Sequence, residues 1–228
     1  VILGALAATL PLRPELLRAD SARHAIAMHG APAWPPDFRA ATYVNPAAPK
    51  GGRLVQGVLG AFDSVNPFIV KGLPAANIRS YQIESLLARG YDEPFTLYAL
   101  IADSVETDAA RTFVTFTINP AARFADGQPV TPDDVVFPWQ LLRDHGRPNF
   151  QIYYAKVTKA QALDARTVRF DFAGGGDREL PLIIGLMPVL ARHAVNVATF
   201  EDTTFTPLVG SGPYTITEVR PGVSVTFT

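Results

Sequence analysis

The 228-residue chain has no cysteine, which excludes disulfides, cysteine-ligated zinc, iron–sulfur clusters and thiol nucleophiles together. That absence does not fix a compartment. Charge of one sign is also lacking: 20 Lys and Arg face 21 Asp and Glu, and the only lysines are Lys50, Lys71, Lys156 and Lys159. With no block of like charge to steer it to a polyanion, the chain is not expected to bind nucleic acid or anionic lipid. No apolar run reaches the roughly 20 residues that cross a bilayer. The uncharged run Val1 to Leu12 has the length of a signal-peptide core, with neither an initiator Met nor a basic segment before it. Residues 1–22 therefore read as the remnant of an export signal. An ordinary apolar N-terminal helix, weakened by Pro11 and Pro14, and a membrane anchor are the other readings.

Catalytic patterns are missing as well. His24, His29, His145 and His193 are scattered, with no ligand pair at metal-binding spacing, so no metal site is expected. Gly210-Ser211-Gly212-Pro213 resembles a nucleophile elbow only superficially, because G-x-S-x-G needs glycine where Val209 and Pro213 stand. Gly174-Gly175-Gly176-Asp177 lacks the Lys-Ser/Thr of a phosphate loop and reads as a flexible break. Asp133 and Asp134 project roughly 100° apart on a helix, and capping explains them without acid–base work. No catalytic group and no cofactor are implied, which leaves binding or structure as the class.

What is present is a globular composition, 48% hydrophobic and 18% charged, with room for one large or two small domains. His24 to Gly52 is rich in Pro, Ala and Gly, and predicts an extended surface segment. Arg53 to Leu59 reads as a strand ahead of the turn Asp63-Ser64-Val65-Asn66-Pro67, and Asn77 to Ala88 as a helix with Gly90 as its cap. Alternation in Thr112 to Ile118 predicts a strand. Thr131-Pro132-Asp133-Asp134 predicts a helix starting at Pro132 with the Thr131 hydroxyl as cap, kinked near Pro138 and ending close to Gly146. Lys156 to Ala162 pairs with Thr167 to Phe172 as a hairpin. Leu180 to Leu190 is helical in its first half. Tyr214 to Val219 and Val223 to Phe227 form a last hairpin, whose second strand runs to the end of the chain and predicts a truncated sheet.

Three motifs carry a resemblance. Phe124 with Asp126-Gly127-Gln128-Pro129-Val130-Thr131 and Asp133-Asp134-Val135-Val136 resembles the F-x-D-G-x-P-V-T-A-x-D-V-V signature of family 5 extracellular solute-binding proteins, the peptide receptors of ABC importers. Asp63-Ser64-Val65-Asn66-Pro67-Phe68 and Gly210-Ser211-Gly212-Pro213-Tyr214 are similar to that family's early turn and its G-S/T-G-P-Y loop. His24 to Gly30, Tyr43 to Gly52 and Asp92-Glu93-Pro94-Phe95 are similar to its YejA-type branch, which binds oligopeptides and peptide antibiotics. Pro132, where the signature has Ala, and Pro138 depart from the pattern, and family members are much longer.

The resemblance implies a mixed α/β fold of the periplasmic-binding-protein type, class II, the large peptide-binding kind. Lobe I would comprise 23–86 and 179–228, incomplete, with a smaller α+β domain inserted at 87–178 and the C-terminal lobe missing. It implies a periplasmic, monomeric binding protein that captures oligopeptides in an interlobe cleft and delivers them to ABC permease subunits in the membrane. Ligand contacts would fall on Val70, Lys71, Gly72, Leu73 and Pro74, read through the main chain, and on Ser211, Gly212 and Tyr214. The alternatives are an exported peptide hydrolase, and a peptide sensor or chaperone on the same fold.

Overall fold

A computed structural model describes residues 22–228. The export-signal reading of residues 1–22 thus lies outside the described residues, save its last position. The elements follow in the order β1 (Ala25–Ala27), α1 (Ile78–Gln82), β2 (Leu87–Arg89), β3 (Thr96–Ala99), β4 (Ala102–Thr107), β5 (Phe113–Ile118), α2 (Asp133–His145), α3 (Pro148–Tyr154), β6 (Val157–Ala162), β7 (Thr167–Phe172), α4 (Leu180–Gly185), β8 (Ile216–Arg220) and β9 (Ser224–Phe227). Two single 3₁₀ turns lie at Arg192–Ala194 and Val197–Thr199.

The largest sheet is antiparallel, ordered β4-β5-β7-β6. Its two central strands are the most strongly alternating stretches of the sequence: Val114, Phe116 and Ile118 of β5 and Val168, Phe170 and Phe172 of β7 are buried, with Val114 opposite Phe170 and Phe116 opposite Val168. Helix α2 lays Val135, Trp139 and Leu142 on this apolar face, at helical spacing. The Trp139 ring meets Phe170 edge to face, and its indole N–H donates to the Tyr154 carbonyl at the end of α3.

A second sheet, β1-β3-β2, joins the N-terminal segment to the region after α1. The main apolar cluster runs without a break from Phe68 and Leu86, through both sheets, to Leu180, Ile184 and Phe200. A separate small cluster unites Val65, Ala75 and Ile78 with Ile216, Val219, Val225 and Phe227 of the β8–β9 hairpin.

Pro138 does not interrupt α2, which continues as one element to His145. Its missing N–H frees the Asp134 carbonyl, and that carbonyl accepts from the Leu190 amide at 3.4 Å. The expected cap is reversed. The Thr131 hydroxyl and amide both donate to the Asp134 carboxylate, at 2.6 and 2.9 Å, and the Arg192 amide donates to its other oxygen at 2.9 Å.

Two sequence expectations fail. Residues 53–59 form no strand: they are exposed along their whole length and pair with no neighbour among the described residues, and a strand exists only as a member of a ladder. Gln56 alone ties the segment down, accepting from the Asn77 amide nitrogen at 3.1 Å. The helix predicted over 77–88 stops at Gln82, where Ile83 turns extended. Leu86 and Leu87 are drawn into the core instead, and Leu87–Arg89 pairs with β3, so Gly90 caps nothing.

Candidate functional site

The turn at Asp63 to Pro67 works as a clamp. The Ser64 hydroxyl accepts from the Asn66 amide, and the Asn66 side chain accepts from the Phe68 amide at 3.1 Å while donating to the Phe200 carbonyl at 3.0 Å. These bonds bury a polar sequence at no cost in unpaired groups. They fix the entrance to the next stretch. Its exit is held by Asp63, whose amide donates to the Leu73 carbonyl at 3.0 Å and whose carboxylate accepts the Leu73 amide at 2.6 Å. Beyond it, the Ala75 amide donates to the Ser64 carbonyl.

Between these anchors Val70, Lys71 and Gly72 bulge outward. Val70 is 67% exposed and Leu73 63% exposed. The carbonyls of Phe68 and Ile69 are taken by Arg147, through its amide and its Nε at 3.0 and 2.8 Å. The amides of Val70, Lys71 and Gly72 meet no acceptor among the described residues. Lys71 pairs with Asp202 at 3.2 Å on the open surface, a contact worth little in water. Of the five residues predicted here, Leu73 has its main chain engaged within the protein, Pro74 bridges to Ser64, and 70–72 have amides left unengaged among the described residues.

The second predicted stretch packs differently. Gly210 lies so close to the end of α1 that a Cβ there would stand 1.8 Å from the Gln82 carbonyl oxygen. The Gly212 and Tyr214 amides donate to the Gln82 and Tyr81 carbonyls at 2.9 and 3.1 Å. The loop thereby satisfies carbonyls that a helix end leaves open. The Tyr214 ring sits edge-on to Tyr81 and is half exposed.

Ser211 alone of this loop faces a cavity, of about 220 Å³, whose other walls are Glu84, Leu100, Ile101, Asn119, Ala121, Ala122 and Arg123. Burial pushes the Glu84 carboxyl above the usual carboxylate range, and the nearby Ser211 hydroxyl partly offsets this. The hydroxyl oxygen is inaccessible to solvent, and Glu84 is the group it acts on. Sequence reasoning passed over Glu84. The one available signal was an acid set in the apolar run Ile83 to Leu87.

The fold and these two loops can be compared with known proteins. Over residues 96–228 the chain matches the family described as bacterial extracellular solute-binding proteins, family 5 middle. The peptidoglycan-binding protein YepA of Agrobacterium fabrum (strain C58) is 46% identical over 233 residues, covering 95% of this chain and 38% of YepA. The probable peptide-binding protein YejA of the same organism is 36% identical over 241 residues, covering 99% of this chain and 38% of YejA. Among solved structures, that of MoaA from A. tumefaciens R10 in complex with mannopinic acid aligns with a TM-score of 0.56 at 31% identity, covering 67% of this chain and 31% of MoaA. The chain thus spans about 38% of the length of these two curated relatives. The architecture is the mixed α/β, periplasmic-binding-protein-like one that the motifs implied, and the relatives are binding proteins. Among the described residues no helix is long and apolar enough to cross a membrane.

Proposed function

We propose a role in peptide capture from one premise: the chain belongs to family 5 of the bacterial extracellular solute-binding proteins. It would be part of the periplasmic receptor of an ABC importer, which encloses an oligopeptide between two lobes and hands it to permease subunits in the membrane. The observation that carries this reading is the outward bulge at Val70, Lys71 and Gly72, held at both ends while its amides stay unengaged. Main-chain groups presented in this way suit an extended peptide of almost any sequence, because they read backbone and not side chains.

Packing supports the grouping of 179–228 with the first segment, although the β1-β3-β2 sheet joins 25–27 to 87–99 across the boundary at 86. Val65, Ala75 and Ile78 share one apolar cluster with the β8–β9 hairpin, as expected if 23–86 and 179–228 form one lobe, while sheet β4-β5-β7-β6 with α2 and α3 falls wholly within 87–178. The name of YepA suggests peptidoglycan as a ligand source, and the peptide arm of a muropeptide would suit the same main-chain readout.

The protein, produced in its host at the length of its relatives, is expected to co-purify with peptides or peptide-bearing fragments identifiable by mass spectrometry. A sugar acid without amide bonds as the sole bound species would contradict the reading, and turnover of a fluorogenic peptide would favour the hydrolase alternative.

A further inference from the structure

Two of the exposed aromatic side chains meet. Tyr43 and Tyr91 are 53% and 82% exposed, yet their ring centroids lie 6.1 Å apart with the planes at 68°, so that one ring forms a wall beside the other. Tyr43 comes from the extended segment after β1 and Tyr91 from the loop between β2 and β3. Only the fold makes this corner.

Its backing is rigid. Trp34 stacks on Tyr98 at 4.3 Å, Phe38 meets both, and Tyr43 leans on Trp34 at 6.2 Å. The Tyr98 hydroxyl donates to Glu93, which also accepts the Ala33 amide at 3.0 Å. The Thr42 hydroxyl donates to Asp92 Oδ2, while Asp92 Oδ1 accepts no bond among the described residues. In the same loop Phe95 is exposed and held at φ 59°, a conformation unfavourable to a bulky side chain. Both segments are thus tied down on either side of two rings that stay open to water. Contiguous exposed apolar surface of this kind marks a place of contact.

Charge and size select the partner. In residues 34–44 and 89–95, Asp37, Asp92 and Glu93 stand against Arg39 and Arg89, and Glu93 is turned inward, so no strong field draws a charged ligand. A stable protein partner needs roughly 800 Å² on each side, far more than a corner two rings wide. A sugar ring fits it: the C–H face of a pyranose is apolar and gains dispersion contact against a flat aromatic ring, while its polar substituents lie at the rim.

We propose that the Tyr43–Tyr91 corner binds an N-acetylated hexosamine of a glycan strand. The C–H face of the sugar lies on the Tyr91 ring, its edge lies against Tyr43, and its acetamido N–H donates to Asp92 Oδ1. The inference rests on the muropeptide source proposed for the peptide, and deepens it: sugar and peptide arm are held by different residues.

The 228-residue protein, ¹⁵N-labelled at pH 7, is titrated with N,N′,N″-triacetylchitotriose, with maltotriose, which has no acetamido group, and with the basic peptide acetyl-Gly-Arg-Gly amide. The chitotriose is expected to shift the amides of Thr42, Tyr43, Tyr91 and Asp92 with a millimolar dissociation constant, and maltotriose to bind about five-fold more weakly or less. Tyr91→Ala removes an exposed side chain, so its spectrum should stay unchanged elsewhere while affinity falls about ten-fold, whereas Tyr91→Phe keeps the ring and should stay within about two-fold. Unshifted amides at these positions, unchanged affinity in Tyr91→Ala, or equal binding of the two sugars would overturn the proposal. Tighter binding of the basic peptide would overturn it too, in favour of a cationic protein segment. A sugar-free peptide has no ring to place here, so its capture by the longer protein tests the peptide reading separately.

Discussion

Gly210 has its Cα within touching distance of a carbonyl contributed from far away in the chain, since a Cβ would lie 1.8 Å from the Gln82 oxygen. Backbone must move to admit even a methyl group. Gly210→Ala is therefore expected to cost at least about 2 kcal/mol, as overpacking against rigid backbone does, read as a drop in the urea midpoint at unchanged slope. The motif around Ser211 was legible in the sequence, and its mechanical reason was not, because the partner is brought by tertiary folding. Gly72 is a similar case. At φ 75° and with a Cβ 2.5 Å from the Asp63 Oδ1, the position tolerates neither Ala nor Pro, so loss of binding in such variants would report folding. Leu73→Ala removes an exposed side chain and is expected to change stability by no more than about 0.5 kcal/mol. Asp134 was read as a cap, and its carboxylate instead gathers three donors from Thr131 and Arg192. Asp134→Ala strands those donors in a buried site and should cost about 1–3 kcal/mol, measured by chemical denaturation.

At the scale of elements, legibility followed how local the determining forces were. β5, β7 and the β8–β9 hairpin were readable because their apolar residues alternate and their turns carry Asp or Gly. Residues 53–59 are also rich in Leu and Val, yet they make no strand because side chains do not supply the neighbour that a ladder requires. Leu54, Val55, Val58 and Leu59 are exposed as a result. Hydrogen exchange is expected to be nearly unprotected for these amides while β5 and β7 exchange last. Early protection of 53–59 in the 228-residue protein would contradict the description.

The start of α4 offers a pH test. Asp177 accepts from the amides of Glu179 and Leu180 and pairs with Lys156 at 2.9 Å, and the Lys156 hydrogen bond is the largest influence holding its carboxyl below the usual range. A lowered folded-state pKa means that the stabilisation is present above the unfolded value, near 3.9, and is lost as pH falls through the folded one. The pair is partly exposed, which limits it to about 1 kcal/mol or less. Asp177→Asn should be less stable than the native chain at pH 7 and converge with it near pH 2, as followed by thermal melts across that window.

For the whole molecule, one apolar cluster joins the two larger sheets, the β8–β9 hairpin packs on a second, and Val70 and Lys71 of the bulge are exposed. The family-level motifs were legible from sequence because they are short and local, whereas Glu84, Asn119 and Arg123 are joined to Ser211 only by the fold. A receptor that holds its ligand between two lobes gains affinity by enclosure, and association costs about 4–15 kcal/mol in lost motion, which a single open face is poorly placed to offset. The chain spans about 38% of its relatives, so the account makes a direct demand on affinity. One oligopeptide should be titrated calorimetrically, at one salt concentration, into the 228-residue protein and into a version extended to the length of those relatives. The account predicts dissociation constants at least 100-fold tighter for the longer protein. Comparable values in the two would contradict capture between lobes.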